Sequence, residues 1–262
     1  MTTNLFDPQQ TTRDLVEYCR SQLRASGGEQ AVIGISGGKD SSVVAALMTA
    51  AIGADKVHGV LMPDGRQNDI DDAHAVCEHL GIRTYLLPIG EITRSFYAQL
   101  EPAVEVSKQA RLNLPPRVRM TMLFGLAQSL DNARVINTSN LSEDWVGYAT
   151  LYGDTAGAFA PLAMLTTAEV VEVGKTLGLP RFLAEKVPAD GLTGKSDEDV
   201  LGFSYAVLNR YIRTGEIDDA AVKAAIDRMH RLSRFKFVPL PMFNPHLTIA
   251  AEDIAGVYGS PG

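Results

Sequence analysis

The chain has 262 residues, 45% hydrophobic and 21% charged, enough apolar content to bury a sizeable core. A formal net charge of −7 leaves no overall basic footprint for a phosphate backbone, and the cluster KQARLNLPPRVR at 108–119 is too short to change that, so nucleic acid is not an expected partner. Cys19 and Cys77 stand far apart without a CxxC, the N-terminus is polar and acidic, and no run nears the roughly 18 apolar residues of a membrane span; this excludes a disulfide framework, a structural zinc site, an export signal and a membrane anchor, and a reducing cytoplasm is the expected location.

Leu15, Cys19 and Leu23 recur at helical spacing and predict a leading helix over 11–25. The runs AVIGI (31–35), VHGVLM (57–62), TYLLPI (84–89) and ARVINT (133–138) are short, apolar and rich in branched residues, and three are separated by helix-length segments. That is the rhythm of a parallel sheet with crossover helices. SSVVAALMTAAIG reads as the first crossover helix, ending at Gly53, and DIDDAHAVCEHLG as the second, with acids in its first turn and Gly81 as its stop. Another helix spans 116–130, where Met120, Leu123 and Leu126 form an apolar face. A further one opens on the capping box Thr166-x-x-Glu169 and closes at Gly178 and Pro180. Two late helices are expected over 197–213 and 218–232. With no repeat, low-complexity tract or linker, residues 1–262 read as one α/β domain, a doubly wound parallel sheet with C-terminal helical additions.

The stretch VIGISGGKDSS (32–42) carries the chemistry. A strand runs straight into two glycines and a helix start, so the backbone turns tightly, the amides after Gly34 and Gly37–Gly38 point outward, and the hydroxyls of Ser36, Ser41 and Ser42 add donors. Such a cradle holds phosphate. The Walker pattern is absent, because Gly34 stands too close to the Gly37–Gly38 pair, and Asp40 follows Lys39 where a hydroxyl would be required. An acid inside an anion cradle is costly unless a divalent cation bridges it to the phosphates, which implies Mg²⁺.

SGGKDSS after the first strand resembles the pyrophosphate loop of N-type ATP pyrophosphatases. Within that superfamily the chain is similar to the ammonia-dependent NAD synthetase family, in LMP (61–63), DIDDA (69–73), NLPPRVRM (113–120), NTSNLSEDWVGYATLYGD (137–154), PLAMLTTAEVVEVGKTLGLP (161–180) and GKSDEDVLGFSYAVLN (194–209). The resemblance implies an adenine nucleotide alpha-hydrolase-like fold and an AMP-forming amide ligase that uses ATP, Mg²⁺, ammonia and deamido-NAD. It places Asp40 and Glu143 as metal ligands and Leu61, Met62 and Thr138 with the loop at ATP. Arg117 falls at the dinucleotide and Asp154 at the ammonia, although a turn acid is an equal reading of Asp154. A homodimer is implied, with the 116–130 face as a candidate surface. No glutaminase domain is present, so ammonia comes free or from a separate protein.

The pattern departs from the family around the acyl substrate. Leu151 and Ala158 stand at a lysine and an aspartate that meet substrate, and Thr167 at a lysine that meets the ATP phosphates. PADGLTG (188–194) is one residue shorter than its counterpart, and Arg234-Phe235-Lys236 replaces a His-Lys-Arg triplet. Either Lys186, Lys195, Arg234 and Lys236 compensate, or the carboxylate is a different small acid. Stretches 63–69 and 188–198 read as loops that close over the site. Two other classes of function are weighed: a sulfur-transferring RNA-modifying pyrophosphatase, disfavoured by the missing CxxC and the acidic charge, and a non-catalytic nucleotide-binding module, disfavoured by Asp40 and Glu143.

Overall fold

The computed structural model describes residues 6–65, 69–185 and 197–252. Helix α1 (Pro8–Ala25) is followed by β1 (Gln30–Gly34), α2 (Lys39–Ile52), β2 (Val57–Leu61), α3 (Ile70–Leu80), β3 (Arg83–Leu86), α4 (Gly90–Leu100), α5 (Lys108–Gln128) and β4 (Ala133–Val135). Then come α6 (Leu141–Val146), α7 (Thr167–Thr176), α8 (Arg181–Ala184), α9 (Asp197–Leu201), α10 (Tyr205–Thr214) and α11 (Ala220–Ser233). All strand pairs are parallel and the order is β3-β2-β1-β4. The sheet is doubly wound, as the four apolar runs predict, although β4 stops at Val135 rather than 138.

Alternation along β1 sends side chains into two cores. Ala31 and Ile33 face a layer formed by α1, α2, α3, α7 and α8, with Cys19, Leu47, Met48, Val76, Val173 and Leu183 buried among them. Val32 faces the opposite layer, where Leu114, Val118 and Leu123 of α5 pack on Val60, Met62 and Val135. Strand β3 lies at the sheet's edge, and its side chains are mostly exposed. A third cluster joins Val146 of α6 to Leu208 of α10 and Ile226 of α11. Both cysteines are free and buried, and burial pushes the Cys19 thiol up to about 12. No described helix is long and apolar enough to cross a membrane.

Two sequence expectations are corrected. The helix over 197–213 is two helices, because Gly202 takes a left-handed φ of +81° and Ser204 caps a fresh start by accepting from the Val207 amide. The helix expected from 116 begins eight residues earlier at Lys108 and runs through Pro115 and Pro116. Proline 115 has no N–H for the Arg111 carbonyl four residues back; the Tyr97 hydroxyl donates there instead, at 3.1 Å. Within α5, Leu123 is buried, and Met120 and Leu126 pack against the same cluster, so this face belongs to the core rather than to a free surface.

Candidate active site

In an open parallel sheet, the loops after two neighbouring strands diverge where the strand order reverses, and ligands enter there. Here that point lies between β1 and β4. The loop after β1 is 35–38, which carries the predicted phosphate cradle, and the segment after β4 is 136–140, which leads into α6 and the predicted second acid, Glu143.

The cradle is held by its own hydroxyls. Ser36 Oγ accepts from the Gly38 amide at 3.1 Å and lies 3.2 Å from Ser41 Oγ. Gly37 has φ +83°, and a side-chain carbon there would sit 2.4 Å from the Asp69 carbonyl oxygen. Gly38 is the N-cap of α2 and no side chain caps the helix, so its first-turn amides keep their donors for an anion. Ser41 and Ser42 instead donate to the Gly38 carbonyl, at 3.2 and 2.7 Å. Ser36 and the amides thus face a ligand more directly than these two hydroxyls.

Lys39 is 4% exposed, and its ammonium donates to Asp40 Oδ2 at 2.7 Å. Asp40 Oδ1 accepts from Asn140 Nδ2 at 3.2 Å, while Asn140 Oδ1 accepts from the Glu143 amide at 3.1 Å and so caps α6. Asn140 is fully buried and ties the two halves of the site together. Burial, and then the charge of Asp40, push the Glu143 carboxyl up, against the pull of Lys39 and the hydrogen bond from Asn140. A buried carboxyl pushed up by a neighbouring carboxylate, beside a phosphate cradle, fits a divalent cation. Among the described residues no third His, Cys, Asp or Glu joins them as a ligand group, so phosphate oxygens and water would complete the coordination.

Other predicted residues fall around this centre. Leu61 ends β2 and Met62 follows it; the Leu61 carbonyl accepts from the Leu87 amide, and the Met62 carbonyl from Arg119 Nε at 3.1 Å. Thr138 is half-buried and makes no hydrogen bond to another described residue, which leaves its hydroxyl for a ligand. Arg117 is exposed and donates to the Leu151 carbonyl at 3.1 Å. Asp154 is exposed, and its Oδ2 accepts from the Thr150 amide at 2.9 Å, so it closes a turn while keeping its other oxygen. Lys236 donates to the carbonyls of Gly147 and Ala149 at 2.9 and 2.8 Å, and Arg234 to those of Asp144, Trp145 and His230. Arg234 is spent on carbonyls of α6 and α11 and Lys236 on those just after α6, so a compensating role toward substrate is not what their geometry favours. Lys186 and Lys195 lie outside the described residues, as does most of 188–198.

Four residues escaped the sequence reading. Asn140 was signalled, since Asn three residues before Glu marks a helix start. Arg119 lies in the quoted NLPPRVRM, two residues from Arg117; its half-buried guanidinium is depressed by burial and supported by Asp64 and Asp154. Asp144 is pushed up to about 7 by burial, with Arg234 opposing, and its Oδ1 is buried without a hydrogen-bond partner. Asn209 bonds Ser142 Oγ at 2.6 Å and Thr167 Oγ1 at 2.9 Å, while Ser142 Oγ accepts from the Thr167 amide at 3.1 Å. Thr167 is therefore closed into a neutral network joining α6, α7 and α10. Asn209→Ala leaves two hydroxyls short of partners and is expected to lower stability by about 1–3 kcal/mol, read by urea denaturation; a loss below about 0.5 kcal/mol would mean that the network is slack.

A family model described as NAD synthase matches residues 11–237. The NH(3)-dependent NAD(+) synthetase of Thermococcus kodakarensis is 40% identical over 208 residues, 79% of this chain and 81% of that one. A structure of NMN synthetase from Francisella tularensis superposes with a TM-score of 0.85 at 30% identity, covering 92% of this chain and all of the other. An NH3-dependent NAD synthetase from Campylobacter jejuni, in complex with the nitrate ion, gives 0.75 at 27% identity over 92% of this chain and all of that one.

Proposed function

Since the chain belongs to the NAD synthase family, we propose that it is a carbon–nitrogen ligase converting deamido-NAD, ATP and ammonia to NAD, AMP and pyrophosphate. The observation that carries this reading is Asp40, an acid set inside an uncapped phosphate cradle and linked through Asn140 to Glu143. Asp40 and Glu143 would hold Mg²⁺, which when bound supplies charge neutralisation for the departing pyrophosphate. The outward amides of the loop orient the β- and γ-phosphates, and Thr138 offers a hydroxyl to the nucleotide. A substrate carboxylate oxygen then attacks the α-phosphorus, the bond to the β-phosphate oxygen breaks, and an acyl-adenylate remains. Ammonia attacks the acyl carbon, AMP leaves, and in this reading Asp154 takes the proton shed by nitrogen. Positioning and fixed charge carry the rate. Leu151 at a half-buried turn and exposed Ala158 bring no polar group to the acyl pocket; Arg119 supports the reading as a charged neighbour of Asp154 and Asp64.

A second acid is favoured by one observation, the TM-score of 0.85 with a protein titled NMN synthetase. The acid whose amide is NMN lacks the adenylate half of deamido-NAD and would need fewer polar contacts, in keeping with Leu151 and Ala158. The test is amide and pyrophosphate formation with ATP, Mg²⁺ and ammonium against deamido-NAD and nicotinate mononucleotide. We expect a kcat/KM with deamido-NAD in the ordinary enzyme range, about 10⁴ M⁻¹s⁻¹ or above. A preference for the mononucleotide would move the function to the second acid, and turnover of neither would overturn both. Ammonia is taken as free or supplied by a separate glutaminase, the chain as one cytoplasmic catalytic domain, and the assembly as a homodimer whose contact surface does not rest on Leu123.

A further inference from the structure

Lys39 opens α2, yet its side chain neither reaches solvent nor caps anything. Residues adjacent on a helix project about 100° apart and do not ordinarily face one another, so the 2.7 Å contact between Lys39 Nζ and Asp40 Oδ2 requires the lysine to fold back over the first turn. The ammonium then lies against the Asp40 carboxylate. Asp40, Glu143 and Asp197 all favour its charge, and Asp197 is itself 6% exposed and accepts from the Tyr205 hydroxyl. Of three ammonium donors, one is used among the described residues. A cation is already resident on Asp40, within electrostatic reach of Glu143, on a flexible four-carbon stem at the mouth of a phosphate cradle.

We propose that Lys39 is a tethered placeholder cation. With no nucleotide present it neutralises Asp40 and Glu143; when ATP enters with its metal ion, the ion takes the carboxylates and the ammonium passes to phosphate oxygens. The proposal rests on the reading of Asp40 and Glu143 as metal ligands. It predicts that the nucleotide-free protein binds divalent ions weakly because Lys39 competes, which ensures that metal arrives with ATP rather than ahead of it.

Mn²⁺ is the probe, titrated into the full-length nucleotide-free protein and followed by electron paramagnetic resonance and by the shift in unfolding temperature. Lys39→Met keeps the buried stem and removes the charge, and should tighten Mn²⁺ binding about tenfold or more while weakening ATP binding. Lys39→Arg keeps the charge and should leave Mn²⁺ binding weak. Lys39→Gln gives a second uncharged variant if the methionine variant folds poorly, and a larger Mn²⁺-induced gain in unfolding temperature than in the wild type reports the same competition. Unchanged or weaker Mn²⁺ affinity in both uncharged variants overturns the proposal, as does tightened binding that Asp40→Asn does not abolish. If the wild-type complex with ATP binds Mn²⁺ in a manner lost in Asp40→Asn, the metal reading survives that outcome; if it does not, the metal reading falls as well.

Discussion

Glu143→Gln and Asp40→Asn each lower the rate of ATP-dependent amide formation by about 10³-fold or more, because each removes a hard ligand whose charge offsets that of the departing pyrophosphate. Their effects on stability differ, and the difference separates chemistry from folding. Glu143 is held against burial and against Asp40, so a neutral glutamine relieves repulsion and the folded state loses nothing. Asp40 accepts from both Lys39 and Asn140; its neutral replacement leaves a buried ammonium without its partner and costs about 1–3 kcal/mol. Pyrophosphate release and urea denaturation, measured on both variants, check the pair. A Glu143→Gln enzyme within tenfold of wild-type rate would remove Glu143 from the catalytic set.

Gly37→Ala is expected to disable the nucleotide loop, whereas Gly38→Ala, one residue on, leaves the fold nearly untouched. At Gly37 the backbone is left-handed, costing a side-chain-bearing residue about 1–2 kcal/mol, and the added carbon would meet the Asp69 carbonyl oxygen at 2.4 Å and the Ala73 amide nitrogen at 3.1 Å. Both are backbone atoms at the start of α3, which cannot swing aside as a side chain would. At Gly38, φ is −86°, and the nearest neighbour is Ser36 Oγ at 3.2 Å. The loop in Gly37→Ala must leave α3, so ATP affinity falls by at least about tenfold, about 1.4 kcal/mol, together with the unfolding temperature. Calorimetric titration of both variants with ATP reads the contrast; equal affinities would show that the approach of the loop to α3 does not shape the cradle.

What could be read from the chain and what could not divides along sequence distance. The strand–glycine–helix passage of 32–42, the stops at Gly53 and Gly81, and the Thr166–Glu169 capping box are written in neighbouring residues, and all are found in place. The break at Gly202 is also local, since a glycine two residues before a serine cap marks an end and a new start. The passage of α5 through two prolines was hidden, because the donor that satisfies Arg111 is Tyr97 on another helix. Similarly, Asn140 reaches Asp40 across 100 positions and Asn209 reaches Ser142 across 67, and no pattern in either segment points to the other. Arg117 drew notice for its type and place, but Arg119, with the same side chain two residues later, is the one turned toward the end of β2.

The hold that Arg234 and Lys236 keep on the carbonyls of residues 144–149 makes the active site a late product of synthesis. The ribosome delivers the phosphate loop and Glu143 long before residues 234–236 leave the exit tunnel. Until then the C-terminal end of α6 has neither cation to receive its carbonyl dipoles. A growing chain can thus complete its sheet and first core while the carbonyls of residues 144–149 still wait for Arg234 and Lys236.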